Sequence, residues 1–143
     1  MCKVDVKESL LVGAPPEKVY AVLAEPEHHR HILPDAFVKY EPQGDSIVSF
    51  DLKAGGTIRS FRVRIDLTEP NKLIREINLA TGMCTEFRLE PHEQGTIVTI
   101  ATQYKTAVSL FGVMEALFAP NFLRRLYMEE LVMLGRYVLV AAV

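Results

Sequence analysis

The C-terminal stretch that begins at Pro120 carries the clearest helical pattern in the chain. At about 100° per residue its apolar residues fall on one broad face, and Arg125, Glu129 and Arg136 fall opposite. That apolar face comprises Leu123, Leu126, Tyr127, Leu131, Leu134, Tyr137 and Val138. About 20 residues at 1.5 Å each predict a helix of about 30 Å, long enough to cross a small domain. Glu130 lies in the middle of the apolar face, where a carboxylate is costly unless paired, which indicates a hollow beneath the helix.

The N-terminal third predicts one strand followed by two short helices. Residues Val4 to Val12 alternate between apolar and polar, which is typical of a half-buried strand with Glu8 on its inward face. Gly13 and Pro15 stop the strand, and the next residues form a short amphipathic pattern that runs to Pro26. A second brief helical turn or loop, 27–34, completes the segment.

The middle of the chain predicts six further strands, each separated from the next by a turn sequence. The alternating segments are 38–41, 47–53, 57–68, 73–79, 83–90 and 96–105. Strands joined by short turns are usually neighbours, so together with the first strand they predict one antiparallel seven-stranded sheet. A further helical pattern, 109–119, precedes the long helix. Without a linker or repeat, we expect one domain over residues 1–143.

Composition narrows the class of protein. The net charge is −2 and there is no basic stripe, so we expect no nucleic-acid partner. Two cysteines are too few for a disulfide framework or a thiolate metal site, which favours a reducing, cytoplasmic location. The N-terminus lacks the apolar core of a signal peptide, and the final apolar segment, 137–143, is too short to span a membrane. We interpret that segment as a helix end that could pack against a second subunit.

Three segments resemble the START-like (SRPBCC) superfamily. GAPPEKVYAVLAEPEHHRHILP is similar to its opening helices, EPHEQGTIVTI to a late strand pair, and LRRLYMEELVMLGRYV to its terminal helix. The resemblance is to the polyketide cyclase/dehydrase and lipid-transport branch. It implies an α+β helix-grip fold, in which a curved antiparallel seven-stranded sheet wraps around a long C-terminal helix, with two short helices between strands 1 and 2. It also implies a hydrophobic small molecule held between sheet and helix.

Strand alternation places four ionisable residues, Glu8, Arg59, Arg75 and Glu130, on the side that faces the helix. Two acids and two bases would form a buried polar network around a cavity. A bulge would reverse the alternation, and the two arginines are close enough to turns to reach water. Glu130 is the strongest candidate because a helix face is harder to misassign. A desolvated glutamate would have a raised pKa, which suits a general acid.

Other side chains leave alternatives open. Tyr104 and Tyr137 could donate to a ligand carbonyl, or could be core residues with satisfied hydroxyls. The HHRH sequence at 28–31, with His92 and Cys84, could suggest a metal site, but no metal-binding spacing accompanies it. We expect instead a solvated loop near the mouth of the pocket, and no metal or cofactor. The serines lack a nucleophile motif.

Our leading hypothesis is a carrier or sensor that binds a hydrophobic small molecule such as a lipid, isoprenoid or polyketide. The alternatives are a cyclase or dehydratase with Glu130, Tyr104 or Arg59 as acid/base groups, and an interaction module or homodimer with a filled core. The predicted ligand-binding residues are Val6, Glu8, Phe50, Arg59, Phe61, Val63, Arg75, Phe87, Ile100, Tyr104, Leu126, Glu130, Leu134 and Tyr137.

Overall fold

The computed structural model describes residues 3–54, 56–105 and 120–143. Its strands are β1 (Lys3–Val12), β2 (Phe37–Gly44), β3 (Ile47–Ala54), β4 (Thr57–Glu69), β5 (Leu73–Asn78), β6 (Cys84–His92) and β7 (Gly95–Lys105). Its helices are α1 (Pro16–Ala24), α2 (Pro26–His29) and α3 (Pro120–Tyr137), and a 3₁₀ turn (Arg30–Ile32) continues α2. The helix predicted at 109–119 lies outside the described residues, as do Cys2 and the side chain of Tyr104.

The strands form one antiparallel sheet in the order β1-β7-β6-β5-β4-β3-β2. Each strand from β2 to β7 pairs with its neighbour in sequence, and β1 closes the series against β7 along its whole length. The sheet is open and curved, and α1, α2 and the 3₁₀ turn occupy the connection between β1 and β2. The predicted α+β helix-grip architecture, with seven strands and two short helices after the first, is confirmed.

Helix α3 lies on the inner side of the sheet, where it packs against β1 and the 3₁₀ turn. Its predicted apolar face is buried, with Leu131, Leu134 and Val138 at most 1% exposed. The helix ends at Tyr137, and a turn follows instead of the continued helix that we expected. In this C-terminal tail the apolar residues Leu139 and Val140 are exposed.

A β-bulge in β2 redirects one aromatic side chain into the interior. The register of β2 with β3 shifts between Val38 and Glu41, and Lys39 adopts a positive φ of 56°. Simple alternation from the inward Phe37 would place Lys39 inside and Tyr40 outside. The extra residue reverses this order, so that Lys39 is exposed while the Tyr40 ring packs inward against Phe50.

The predicted inward orientation of Arg75 is wrong. In β5 the inward positions are Ile74, Glu76 and Asn78, and Arg75 lies on the outer face, where its Nε donates to Glu86 at 2.8 Å. The inner face of β5 is polar at two of its three positions, so apolar residues did not mark the face that points to the core. Alternation of apolar and polar residues therefore assigns the two faces of β5 the wrong way round.

Arg59 and Glu8 occupy inward-facing positions without being buried. Arg59 lies near the start of β4, close to the turn that precedes it, and its side chain is exposed. Glu8 pairs with Ile100 and is only half-buried. Because Arg59 is exposed, Glu8 is only half-buried and Arg75 lies on the outer face, the predicted buried network of two acids and two bases is wrong.

Candidate functional site

A cavity of about 70 Å³ lies between the sheet and α3. Aromatic and aliphatic side chains supply most of its wall, and Glu76, Asn78, Thr85 and Glu130 add polar groups. The apolar lining residues that the structure describes are Phe37, Phe50, Leu52, Phe61, Val63, Met83, Phe87, Leu123, Leu126 and Tyr127. Strands β2 to β6 and helix α3 all contribute, so the long helix and the curved sheet line the space together, and it is partly open to solvent.

His29 lies beside this cavity and is only 2% exposed. It is the last residue of α2, a helix that Pro26 begins, and its Nδ1 donates to the carbonyl of Leu23 at 2.8 Å. The imidazole stacks on the ring of Tyr40 at 6.1 Å and meets the edge of Phe87 at 5.6 Å. The backbone contact and the two rings fix the orientation of the imidazole, so that Nε2 is held facing the carboxylates.

Two carboxylates converge on the remaining nitrogen of this imidazole. His29 Nε2 lies 3.5 Å from Oε2 of Glu130 and 3.8 Å from Oε2 of Glu76. The side chain of Glu130 is 4% exposed and that of Glu76 is 19% exposed, and both line the cavity. Helix α3 and strand β5 therefore each bring one acid to a histidine from α2. We call these three residues the His29 cluster.

The cluster shifts the protonation of its members. Burial favours neutral His29, but the hydrogen bond to Glu130 and the charges of Glu76 and Glu130 outweigh it and raise its pKa to about 9. Burial raises the pKa of Glu76 to about 7, with the positive charge of His29 opposing the rise and Glu130 adding to it. Near neutral pH the cluster thus holds an imidazolium beside an acid that can gain or lose a proton.

Two tyrosine hydroxyls near the cluster have contrasting environments. The Tyr40 hydroxyl is buried and has no hydrogen-bond partner in the described part of the chain. Burial, then the charges of Glu76 and Glu130, raises the pKa of Tyr40. Tyr127, on α3, hydrogen-bonds to Thr102 of β7, which in turn lies 2.9 Å from Thr85 Oγ1. Both ends of this chain of hydroxyls, Tyr127 and Thr85, line the cavity, and the buried Thr102 joins them.

The other histidines of HHRH hold the end of α3. His28 Nδ1 and the hydroxyl of Tyr137 form a hydrogen bond of 2.7 Å, and His31 stacks on the same tyrosine ring at 5.1 Å. The expectation of a solvated loop is therefore wrong for His29 and incomplete for His28, because these side chains pack into the protein. Among the residues that the structure describes, no group of three or more His, Cys, Asp or Glu side chains, the His29 cluster included, is arranged to hold a metal ion.

The structure brings six of the predicted ligand-binding residues to the cavity: Phe50, Phe61, Val63, Phe87, Leu126 and Glu130. Val6, Ile100 and Leu134 are buried in the core at 1% exposure, outside the described lining. Tyr137 lies at the His28 contact, and Glu8, Arg59 and Arg75 lie elsewhere as described above. For Tyr104 the structure describes only the backbone, paired with Val4.

Sequence reasoning missed His29 and Glu76. A signal for Glu76 was its place two residues from both Ile74 and Asn78, which puts all three on one face of β5. A signal for His29 was its place in a short helix that begins at Pro26 and follows the buried Leu23. Neither signal alone distinguishes a buried charge from an exposed one.

The chain matches one family along nearly its whole length. The family of polyketide cyclase/dehydrase and lipid-transport proteins covers residues 3–138. The chain belongs to this family. This family match confirms the resemblance to the polyketide cyclase/dehydrase branch of the SRPBCC superfamily that the sequence predicted, and solved structures share the fold. No curated protein sequence matches the chain.

Three solved structures illustrate how this family member folds. The KanY protein is 23% identical, with a TM-score of 0.82 over 96% of this chain and 99% of its own. Norcoclaurine synthase from Thalictrum flavum, solved with dopamine and hydroxybenzaldehyde, is 17% identical, with a TM-score of 0.72 over 99% and 90%. The di-domain ARO/CYC protein StfQ of the steffimycin biosynthetic pathway is 21% identical, with a TM-score of 0.62 over 95% and 50%. At these identities the likeness concerns the fold.

Within the described residues, no helix has the length and apolar character needed to cross a membrane.

Proposed function

We propose that this protein binds a compact hydrophobic molecule in the cavity between the sheet and α3, as a carrier or sensor. The observation that carries the proposal is the composition of the cavity wall. Ten apolar or aromatic residues surround four polar ones, and two of those four, Glu76 and Glu130, belong to the His29 cluster. Small-molecule sites are typically apolar pockets with a few polar groups that fix the orientation of the ligand.

The size of the cavity supports a small ligand. A volume of about 70 Å³ is several times the roughly 10–15 Å³ that a single water requires. The space is about half of the roughly 150 Å³ cavity that holds a benzene ring, and it is partly open to solvent. A single ring would therefore extend through the opening, and a long lipid would not be enclosed. The family includes polyketide cyclases, and norcoclaurine synthase was solved with two single-ring aromatic compounds. A compact aromatic or polyketide-like compound is the class of ligand that we favour.

Binding can be tested with purified protein and a variant that fills the cavity. Val63 lines the cavity and is 7% exposed, so Val63→Phe should occupy part of the space. Ile97→Phe adds bulk on the outer face of the sheet and serves as the matched control. Native mass spectrometry should detect a bound small molecule, and a panel of single-ring compounds should raise Tm, in the wild type and Ile97→Phe but not in Val63→Phe. Identical responses of all three proteins would contradict the proposal.

A second candidate function is acid/base catalysis of a cyclisation or dehydration in the same cavity. The observation that favours it is the pKa of Glu76, about 7, in a group that lines the cavity beside His29. A general acid or base is most effective when its pKa lies near the working pH. Of the predicted catalytic residues, Glu130 belongs to the cluster, whereas the exposed Arg59 lies outside the described lining.

Turnover would distinguish the enzyme from the carrier. We would incubate the protein with short linear polyketone thioesters and follow loss of water by mass spectrometry. An enzyme should lose turnover in Glu76→Gln while ligand binding persists. A carrier should show no turnover with any of these substrates.

The alternative of an interaction module requires a filled interior, which a cavity of about 70 Å³ argues against. Size-exclusion chromatography would test the predicted homodimer.

A further inference from the structure

The polar end of the cavity contains more hydrogen-bond acceptors than donors. His29 Nδ1 donates to the Leu23 carbonyl, because a carbonyl oxygen can only accept. This leaves Nε2, which carries at most one proton, to face two carboxylates at 3.5 and 3.8 Å. A carboxylate has two oxygens and accepts about four hydrogen bonds. Within the described part of the chain no other side chain donates to either acid, so the remaining carboxylate oxygens are open to water or to a guest.

The same end of the cavity also has an excess of negative charge. Among the residues that the structure describes, His29 is the one basic side chain within 4.0 Å of either Glu76 or Glu130. With all three groups ionised, one imidazolium faces two carboxylates, and one negative charge is left without a partner among the described side chains. An uncompensated buried charge is costly, so a cationic guest would be stabilised at this position.

Another part of the wall is aromatic. The rings of Phe37 and Phe50 lie 5.1 Å apart and those of Phe50 and Phe61 lie 5.5 Å apart, and all three residues line the cavity. The face of an aromatic ring attracts a cation and also packs well against another ring. A wall of this kind would disfavour an anion, which would meet both the ring faces and the carboxylates.

We propose that the ligand of this cavity is a compact aromatic amine whose ammonium group donates to Glu76 and Glu130 while its ring packs on Phe50 and Phe61. This inference rests on the proposed ligand-binding function and narrows it to one chemical class. The ammonium group supplies up to three donors and one positive charge, which match the excess of acceptors and of negative charge. A bound amine would leave His29 in place as the second cation of the cluster.

Three compounds with the same ring separate the effect of charge from that of shape. They are 2-phenylethylamine, 2-phenylethanol and phenylacetate, which carry a cation, a neutral donor and an anion. Calorimetric titration at pH 7.5 should give the tightest binding for the amine, by about tenfold over the alcohol, because hydrogen bonds between charged groups are about twice as strong as neutral ones. Phenylacetate should bind most weakly.

Variants assign the preference to the two acids. Glu76→Gln and Glu130→Gln should each lower amine affinity about tenfold and leave alcohol affinity nearly unchanged, since only the ionic contact is lost. The control is Glu86→Gln, on the outer face of the sheet beside Arg75, which should bind all three compounds like the wild type. If Glu130→Gln does not fold, Glu76→Gln alone still decides the question.

The outcomes separate this inference from the proposed function. Equal affinity for amine and alcohol, or tighter binding of phenylacetate, would overturn the amine assignment and leave ligand binding intact. If none of the three binds but toluene, a neutral single-ring probe, raises Tm in the wild type and not in Val63→Phe, the amine assignment again falls alone. If neither the series nor the probe binds, both proposals are wrong.

Discussion

The imidazole of His29 lies 3.5 Å from the carboxylate of Glu130, and this contact joins α2 to α3 across the interior of the protein. Both side chains are almost fully buried, at 3% and 4% exposure. In so dry a place each charge depends on the other, since removal of one partner leaves an uncompensated ion. The pair therefore contributes to the stability of the fold as well as to the chemistry of the cavity.

Glu130→Gln should destabilise the protein because it removes a counter-charge from buried His29. Loss of one partner of a buried pair typically costs about 3–5 kcal/mol, but Glu76 remains 3.8 Å from Nε2. We therefore expect a loss of about 1–3 kcal/mol in the free energy of unfolding, measured in urea at pH 7. Glu129→Gln, an exposed neighbour on the same helix, should change it by less than about 0.5 kcal/mol. Equal effects of the two substitutions would contradict this role for Glu130.

The raised pKa of His29 predicts a pH dependence of stability. Its pKa rises from 6.5 to about 9 on folding, so its protonation stabilises the folded state fully below pH 6.5. That contribution, on the order of 3 kcal/mol, is lost as pH rises from 6.5 through 9. The free energy of unfolding, measured at half-unit steps over this range, should fall in the wild type.

A matched pair of histidine variants assigns that slope. His29→Gln should flatten the fall between pH 6.5 and 9, because the residue that takes up the proton on folding is gone. His92→Gln, at the exposed last position of β6, should keep the wild-type slope. A chemical-shift titration of the His29 ring should give a midpoint well above 6.5. A slope that survives in His29→Gln would assign the effect to another group.

Glu76→Gln should stabilise the protein at alkaline pH, in contrast to Glu130→Gln. Burial raises the pKa of Glu76 from 4.5 to about 7, so the folded state binds this proton more tightly than the unfolded state does. The resulting contribution to stability is fully present below pH 4.5 and is lost as pH rises from 4.5 through 7. Above that pH the fold holds a carboxylate at a cost, which a neutral amide avoids. We expect a gain of about 1–2 kcal/mol at pH 8.5 and a smaller one at pH 5. A loss of stability at pH 8.5 would mean that the charged form is net favourable.

The helical pattern of α3 and the strand alternation of β5 differ in what they predict about burial. The amphipathic period of α3 reports burial directly, and it placed Glu130 correctly at an inner position. The strand alternation reports only which face is apolar. In β5 the inner face carries Glu76 and Asn78, so the alternation pointed to Arg75 instead. When polar residues line a cavity, the inner face of the strand is no longer the apolar one, and strand alternation then predicts the wrong face.

The bulge in β2 marks a second limit of the pattern. A single residue with positive φ, Lys39, exchanges the inner and outer positions of its neighbours, and Tyr40 reaches His29 only for this reason. No glycine or asparagine at this position announces the left-handed conformation. The contact between α2, β5 and α3 likewise depends on three segments that are distant in sequence. Long-range packing of this kind is visible only in the folded structure.

Tyr40 and Tyr127 offer a comparison between a hydroxyl without a partner and one that has a partner. The Tyr40 hydroxyl is buried with no partner in the described part of the chain, so it carries the full cost of desolvation. Tyr40→Phe should keep the stacking on His29 and leave the free energy of unfolding unchanged or raise it by up to about 1 kcal/mol. Tyr127→Phe should lower it by about 1 kcal/mol, because the hydrogen bond to Thr102 is lost.

Urea unfolding of both variants at pH 7 checks this pair, with near-ultraviolet circular dichroism to confirm that the aromatic packing is retained. The difference between the variants is the decisive quantity, since each removes one oxygen from a buried ring. If Tyr40→Phe loses as much stability as Tyr127→Phe, the Tyr40 hydroxyl has a favourable partner in solution. Its ring lies beside His29, so such a partner would add the Tyr40 hydroxyl to the polar contacts around the His29 cluster.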